Sequence, residues 1–131
     1  MSQDKRSANR YTRRVLRRVL LLEDDVIVRR AVSRALRERG YRVVARATVE
    51  AAKAAVRRGD INGHPFTFAI LDLEVGDELG TEVAQAVPAG TEIVFFTGTT
   101  DAKLLAAARR YGRVVRKDQP LELLTGVPLA S

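Results

Sequence analysis

Three adjacent carboxylates end the first apolar segment of the chain, VLLLEDD at residues 19–25. Glu23, Asp24 and Asp25 repel one another and resist removal from water, so their arrangement costs free energy unless a cation neutralises them. Carboxylate oxygens suit Mg2+, which binds a few of them and keeps some of its own water. The run therefore predicts a cation site, although Asp25 on its own is most simply the N-cap of a following helix.

Other side chains capable of chemistry stand at the ends of later apolar segments. Asp72 follows FAIL, Thr97 follows EIVFF, and Lys117 follows RVVR. If these segments are parallel strands of one sheet, their carboxyl ends share one edge, which is where open α/β sheets bind ligands. Asp72 would then join Glu23 and Asp24 in a three-carboxylate site whose repulsion a bound Mg2+ removes.

Strands and helices are predicted to alternate along the chain. Strands are predicted at 19–22, 42–47, 68–73, 92–96 and 113–116, and helices between Asp25 and Gly40, then at 49–58, 81–87 and 102–111. The first, third and fourth strands are apolar throughout, as in a sheet that is covered on both faces. The pattern therefore predicts an α/β fold, with a parallel sheet between layers of helices.

Composition restricts the class of protein. The formal net charge is +7, but residues 1–18 hold seven basic residues and one acidic residue, so the rest of the chain is nearly neutral. Cysteine is absent, which excludes disulfides and thiolate metal sites. No apolar run has the length of a membrane span or of a signal-peptide core, so we expect a cytoplasmic protein without a membrane partner.

Three regions are predicted from these patterns. Residues 1–16 form a basic and flexible arm, residues 17–125 form one domain, and residues 126–131 form a C-terminal tail. A basic arm can bind the phosphates of a nucleic acid. Arms of this composition are more often solvated tails, so nucleic-acid binding is the less favoured interpretation.

Several of these segments together resemble the receiver domain of two-component response regulators. They are VLLLEDD followed by Arg29, then FAILDLEVGD, IVFFTG and VVRK, and their order along residues 17–125 is that of the family. The resemblance implies a flavodoxin-like receiver fold, a doubly wound sheet of five parallel strands in the order 2-1-3-4-5. It also implies a phosphoacceptor protein that assists its own phosphorylation and dephosphorylation rather than an enzyme.

The resemblance also implies a role for each residue at the strand ends. Asp72 would accept a phosphoryl group from a sensor histidine kinase or a phosphotransfer protein, and the change would switch binding of a downstream protein. Lys117 would pair with one phosphoryl oxygen and the Thr97 hydroxyl with another, so that movement of Thr97 biases a helix and loop between two packings.

The implied metal ligands come from two segments. Asp24 and Asp72 would bind Mg2+ directly, and Glu23 would bind mainly through water. The backbone carbonyl of Glu74 would complete the ligands from the protein.

Departures from the family concern the face that usually signals. Only 25 positions separate Asp72 from Thr97, so the third helix should be short. Val114 stands where an aromatic residue is common, and Asp118 stands where a proline is typical. The segment 120–124 should form a stub of helix that covers little of the sheet beside the fifth strand. Apolar surface left open there could recruit a partner, the arm or a second copy of the chain, which would give a dimer.

Two other functions fit parts of the pattern. A phosphohydrolase of the haloacid dehalogenase type also uses an aspartate at a strand end, but usually has a second aspartate two positions later, where this chain has Glu74 and no cap insertion. A nucleic-acid-binding or structural module would use the basic arm and have no need of the acidic site.

Overall fold

The computed structural model describes residues 17–125, and for Asp60 the backbone only. The predicted arm at 1–16 and the predicted tail at 126–131 lie outside this range. Within it the elements are β1 (Arg18–Leu22), α1 (Val26–Glu38), β2 (Arg42–Arg46), α2 (Val49–Ile61), β3 (Phe68–Leu71), β4 (Glu74–Val75), β5 (Glu78–Leu79), α3 (Thr81–Ala84), β6 (Glu92–Thr97), α4 (Ala102–Arg109), β7 (Arg113–Arg116) and a 3-10 helix (Leu121–Leu124). No helix among residues 17–125 is both long and apolar enough to cross a membrane.

Five strands form one sheet in the order β2-β1-β3-β6-β7, and every neighbouring pair is parallel. The short strands β4 and β5 form a separate antiparallel hairpin. When only the strands of the large sheet are numbered, the order is 2-1-3-4-5. The prediction of a doubly wound, five-stranded parallel sheet is therefore confirmed.

Helices cover both faces of the sheet because successive side chains of each strand point to opposite sides. Leu20 and Leu22 belong to the core layer beneath α2, α3 and α4. Val19 and Leu21 belong to the layer beneath α1 and the 3-10 helix. The apolar segments seen in the sequence are thus buried on both sides, as parallel strands require.

Side chains that the sequence places before helices cap them. The carboxylate of Asp25 accepts hydrogen bonds at 2.9 and 3.0 Å from two backbone N–H groups of α1. The carboxylate of Asp101 accepts two such bonds from α4, at 2.9 and 3.2 Å. The Thr48 hydroxyl accepts a bond from the first turn of α2. Gly40 follows α1 with a φ of +92°, a conformation that favours glycine. These residues fix where each helix begins or ends.

The segment after β7 covers more of the sheet than its sequence suggests. Leu124 is only 1% exposed and packs into the core layer beneath α1, with Leu121 against the same layer. Arg113 on β7 donates hydrogen bonds to the carbonyls of Leu123 and Leu124, which holds the segment in place. The expectation that this stub leaves the sheet largely open was therefore wrong. Leu123 is the member that remains exposed, at 42%.

Candidate functional site

The carboxyl ends of β1 and β3 bring three carboxylates together. Leu22 pairs with Leu71, so the residues that follow them, Glu23 and Asp72, leave the sheet side by side. Carboxylate oxygens of Glu23, Asp24 and Asp72 all lie within 4.8 Å of one another. Glu23 is 1% exposed and Asp72 is 6% exposed, whereas Asp24 is open to solvent. We refer to these three residues as the acid cluster.

The three adjacent acids after β1 have different contacts. The Asp25 carboxylate caps α1, and its backbone N–H donates to Glu23 Oε2 at 3.1 Å. Arg29, one turn into α1, donates to the carbonyl oxygens of Glu23 at 2.9 Å and of Asp24 at 3.3 Å. Asp25 is therefore committed to the helix, and Glu23 and Asp24 are the members of the run that belong to the acid cluster.

Lys117 brings positive charge into the acid cluster from the end of β7. Its Nζ lies 2.8 Å from Glu23 Oε1 and 3.0 Å from Asp72 Oδ2. The backbone N–H of Lys117 donates to the carbonyl of Thr97 at 3.0 Å, which ties β7 to the end of β6. The peptide bond between Lys117 and Asp118 is trans. One ammonium group thus serves two buried carboxylates at once.

The acid cluster has a charge balance that suits a cation. Among the described residues, the fully buried Glu23 Oε1 is approached by the Lys117 ammonium at 2.8 Å but accepts no hydrogen bond of good geometry. One ammonium group also leaves the three carboxylates with an excess of negative charge. A divalent ion bound by carboxylates would supply the missing positive charge, and Mg2+ fits this set of oxygen ligands.

The pKa values of these groups are shifted mainly by burial. Burial raises the pKa of the Glu23 carboxyl above its ordinary value, and Lys117 only partly opposes the change. Burial also raises the pKa of Asp72, against the lowering effects of Lys117, of a side-chain hydrogen bond with Glu23 and of a hydrogen bond from the Glu74 backbone. For Lys117, burial lowers the pKa, but the two carboxylates outweigh it and the net pKa is raised. The carboxylates therefore hold Lys117 charged.

A tight loop after β3 supports Asp72. A Cβ atom at Gly80 would stand 2.0 Å from the Asp72 carbonyl oxygen, so only glycine allows this approach. The Gly80 N–H donates to the Leu73 carbonyl at 2.8 Å, which closes the loop around the β4–β5 hairpin. Gly76 turns the hairpin with a φ of +59°. The sequence marked both glycines as turns but not the hairpin, and it did not show that Gly80 packs against the backbone of Asp72.

Thr97 lies at the end of β6 and is 1% exposed. Its Oγ1 accepts a hydrogen bond from the Thr99 backbone N–H at 3.1 Å. Within residues 17–125, no side-chain hydrogen bond joins Thr97 to Asp72 or Lys117. The predicted residues therefore share one edge of the sheet, while the hydroxyl of Thr97 is turned into its own loop.

No protein-family model and no curated protein sequence matches the chain. Solved structures do match it. A response regulator protein from Burkholderia pseudomallei, solved with a phosphorylated aspartic acid, a calcium ion and citrate, has a TM-score of 0.70 at 20% identity over 83% of this chain and 64% of its own. The chemotaxis protein CheY4 of Vibrio cholerae has a TM-score of 0.69 at 23% identity over 82% of this chain and 92% of its own.

The receiver domain of RstA from Klebsiella pneumoniae, in its BeF3-activated form, has a TM-score of 0.69 at 17% identity over 82% of this chain and 92% of its own. Such identities are too low to transfer a function residue by residue, but the backbones agree over most of the chain. The fold is therefore the CheY-like receiver fold that the sequence motifs predicted.

Proposed function

We propose that this chain is a phosphoacceptor receiver domain of a two-component signalling system, phosphorylated on Asp72. The observation that carries the proposal is the position of the Asp72 carboxylate, which lies in the acid cluster, 3.0 Å from the Lys117 ammonium, at the carboxyl edge of a receiver-type sheet. Solved proteins of this fold include one with a phosphorylated aspartic acid.

Asp72 would act as the nucleophile. One of its carboxylate oxygens forms a bond to the phosphorus of a phosphohistidine on the donor, and the P–N bond breaks. The electron pair of that bond stays on the imidazole, which takes up a proton as it leaves. The product is an acyl phosphate on Asp72, and its hydrolysis by water regenerates the carboxylate.

Lys117 would hold charge in place during this transfer. In the unphosphorylated protein its ammonium contacts Glu23 and Asp72. Once Asp72 carries the phosphoryl group, the nearest strong acceptor for Lys117 becomes a phosphoryl oxygen, and an ammonium on a flexible stem can follow it. Thr97 would rotate away from Thr99 to bond another oxygen, which would release the loop after β6 and alter the surface offered to a downstream protein.

Mg2+ would be the cofactor, held by Asp24 and Asp72 directly, by Glu23 mainly through water, and by the backbone carbonyl of Glu74. When bound, it supplies positive charge against both the attacking carboxylate and the phosphoryl oxygens. The surplus of carboxylates over the single ammonium of Lys117, with oxygens within 4.8 Å of one another, supports this ligand set. The calcium ion in the Burkholderia pseudomallei protein supports a divalent ion with a receiver fold.

The phosphodonor would be a sensor histidine kinase or a phosphotransfer protein, and the expected site of action is the cytoplasm. The chain would act by binding its partners in a phosphorylation-dependent way rather than by turning over a substrate. A haloacid dehalogenase-type phosphohydrolase gains no specific support, because the residue two positions after Asp72 is Glu74, whose side chain is exposed.

The test is incubation with acetyl phosphate and Mg2+, followed by intact-mass measurement. Wild type should gain the mass of one phosphoryl group, and Asp72→Asn should gain none. Asp77→Asn is the matched control, because Asp77 is an exposed aspartate in the nearby hairpin and lies outside the acid cluster. An Asp72→Asn protein that gained mass as wild type does would overturn the proposal. Steady turnover of small phosphate esters would instead favour the phosphohydrolase.

A further inference from the structure

A groove of about 740 Å3 lies along the outer edge of β2. Its lining includes Arg18, Arg37, Arg42, Arg46, Arg58 and His64. These residues come from β1, α1, β2, α2 and the loop before β3, so basic side chains reach the groove from several elements. None of the acid-cluster residues lines it. We refer to this feature as the arginine groove.

Positive charge in the arginine groove is not neutralised by the described side chains. No described acidic side chain lines it, and none of its arginines forms an ion pair with a described residue. The guanidinium group of Arg18 donates to the His64 carbonyl and lies 4.8 Å over the ring of Phe66. Arg46 donates to the Ala45 carbonyl.

The other three arginines are available to a ligand. Arg37, Arg42 and Arg58 are exposed, and no hydrogen bond or ion pair joins their side chains to a described residue. Unpaired like charges around one concave surface repel one another, and an anion placed between them relieves that repulsion. The guanidinium fork matches the oxygens of a phosphate group particularly well.

The spacing of the arginines indicates an extended anion. Arg42 and Arg46 occupy the two ends of β2, so their Cα atoms are about 13 Å apart at the usual rise of a strand. Arg18 stands directly opposite Arg42 on β1. The volume of the groove, about 740 Å3, is several times that of one phosphate, so successive phosphates of a chain fit beside this row.

The sequence beside the arginine groove extends the same charge. Arg17 is exposed and directly precedes β1, which supplies Arg18. Its carbonyl accepts a hydrogen bond from the Arg42 backbone N–H at 3.0 Å, so Arg17 adds positive charge at the same end of β2.

Aromatic surface for stacking is lacking in the arginine groove. Tyr41 and Phe66 line it, but both are buried, and Arg18 covers the Phe66 ring. Proteins that bind single strands usually stack the bases on exposed aromatic rings. The groove therefore suits the phosphates of a duplex better than the stacked bases of a single strand, and phosphate contacts position a nucleic acid without reading its sequence.

We propose that the arginine groove binds the phosphate backbone of duplex nucleic acid, without sequence preference, at a site separate from the acid cluster. This activity goes beyond the proposed phosphoacceptor function and does not depend on it. Phosphorylation of Asp72 and binding at the β2 edge would occupy different parts of the sheet.

The proposal can be tested with the full chain and a short fluorescein-labelled DNA duplex, by fluorescence anisotropy over a range of salt concentrations. The groove variant replaces Arg37, Arg42 and Arg58 by Gln. If each arginine contacts a phosphate, affinity at about 0.1 M salt should fall on the order of 100-fold. The negative slope of log K against log salt should become shallower by about 3. Changing the base sequence of the duplex should leave the affinity of wild type unchanged.

A charge-matched control separates the groove from general basicity. It replaces three exposed arginines that lie outside the arginine groove, Arg30, Arg109 and Arg110, by Gln. The control should lose less than tenfold in affinity, and a variant with Lys in place of the three groove arginines should bind better than the Gln variant. Equal losses in the groove and control variants would overturn the proposal, as would absence of binding by wild type at low salt. Displacement of the duplex by poly-L-glutamate at an equal concentration of charge would overturn the assignment to phosphate.

Discussion

Replacement of Lys117 by Met should destabilise the metal-free protein and have much less effect when Mg2+ is bound. The ammonium lies 2.8 Å from Glu23 and 3.0 Å from Asp72, and both carboxylates are buried. At an effective dielectric constant of about 20, each contact corresponds to about 6 kcal/mol of Coulomb energy before the cost of desolvation. Met has a similar length and fills the same space, so the substitution removes charge with little loss of packing.

The net effect is smaller than the Coulomb energy, because Lys117 was itself desolvated and because a carboxylate left without a partner takes up a proton. Removing one partner of a buried pair typically costs 3–5 kcal/mol, and Lys117 retains 28% exposure. We therefore expect a loss of about 3 kcal/mol in the free energy of unfolding at neutral pH without Mg2+. With Mg2+ in the acid cluster the loss should fall below about 1 kcal/mol, since the ion then neutralises Glu23 and Asp72.

Urea unfolding with and without Mg2+ measures both values. With a slope of about 1.5 kcal/mol per M, a loss of 3 kcal/mol lowers the midpoint by about 2 M. Lys103→Met is the control, because Lys103 is an exposed lysine of α4 outside the cluster, and its midpoint should stay within about 0.3 M of wild type under the same slope. Equal losses of stability for Lys117→Met with and without Mg2+ would refute the reasoning. They would show that Lys117 and Mg2+ do not neutralise the same carboxylates, Glu23 and Asp72.

Three further predictions concern the metal, the protons and the loop. Asp24→Asn should weaken Mg2+ binding in calorimetric titration while slightly raising the melting temperature without metal, because one repelling charge is removed; unchanged Mg2+ affinity would contradict the ligand assignment. The folded-state pKa values of Glu23 and Asp72 are raised, so proton binding to these carboxyls stabilises the folded protein fully below their ordinary pKa. This stability is lost as pH rises through the raised values. The stabilisation by Mg2+ should therefore grow over the same pH range. Melting temperatures at a series of pH values would test this, and a gap between the two conditions that did not change with pH would speak against it. Gly80→Ala should cost about 1–3 kcal/mol and slow phosphorylation by moving the backbone of Asp72, whereas Gly90→Ala, where a Cβ meets nothing within 4 Å, should change neither.

The sequence predicted those elements that depend on local patterns. The central strands β1, β3 and β6 are mostly apolar because the sheet is covered on both sides, and this made their type and order recognisable in the sequence. Asp25 and Asp101 cap helices through contacts with residues two and three positions later, so their roles follow from neighbouring residues alone. The grouping of Glu23 with Asp72 followed once the strands were taken as parallel.

Other features could not be predicted from the sequence because they depend on contacts between distant segments or on segments too short to show a pattern. α2 continues through Gly59 to Ile61, beyond the predicted end at 58, despite the low helix propensity of glycine. The hairpin at 74–79 has strands of two residues each, which carry no periodicity. Burial of Leu124 depends on hydrogen bonds from Arg113, and the double contact of Lys117 depends on the register of β6 and β7.

The location of the phosphoryl group tests the central claim most directly. The protein would be phosphorylated with acetyl phosphate and Mg2+, divided into two portions, and one portion treated with neutral hydroxylamine, which cleaves acyl phosphates. Borohydride reduction of the other portion, followed by digestion and tandem mass spectrometry, marks the residue that carried the group. We expect a hydroxylamine-labile modification at Asp72 alone. A hydroxylamine-stable group, or one located at Asp24 or at a threonine such as Thr97, would contradict the assignment of Asp72 as the phosphoacceptor.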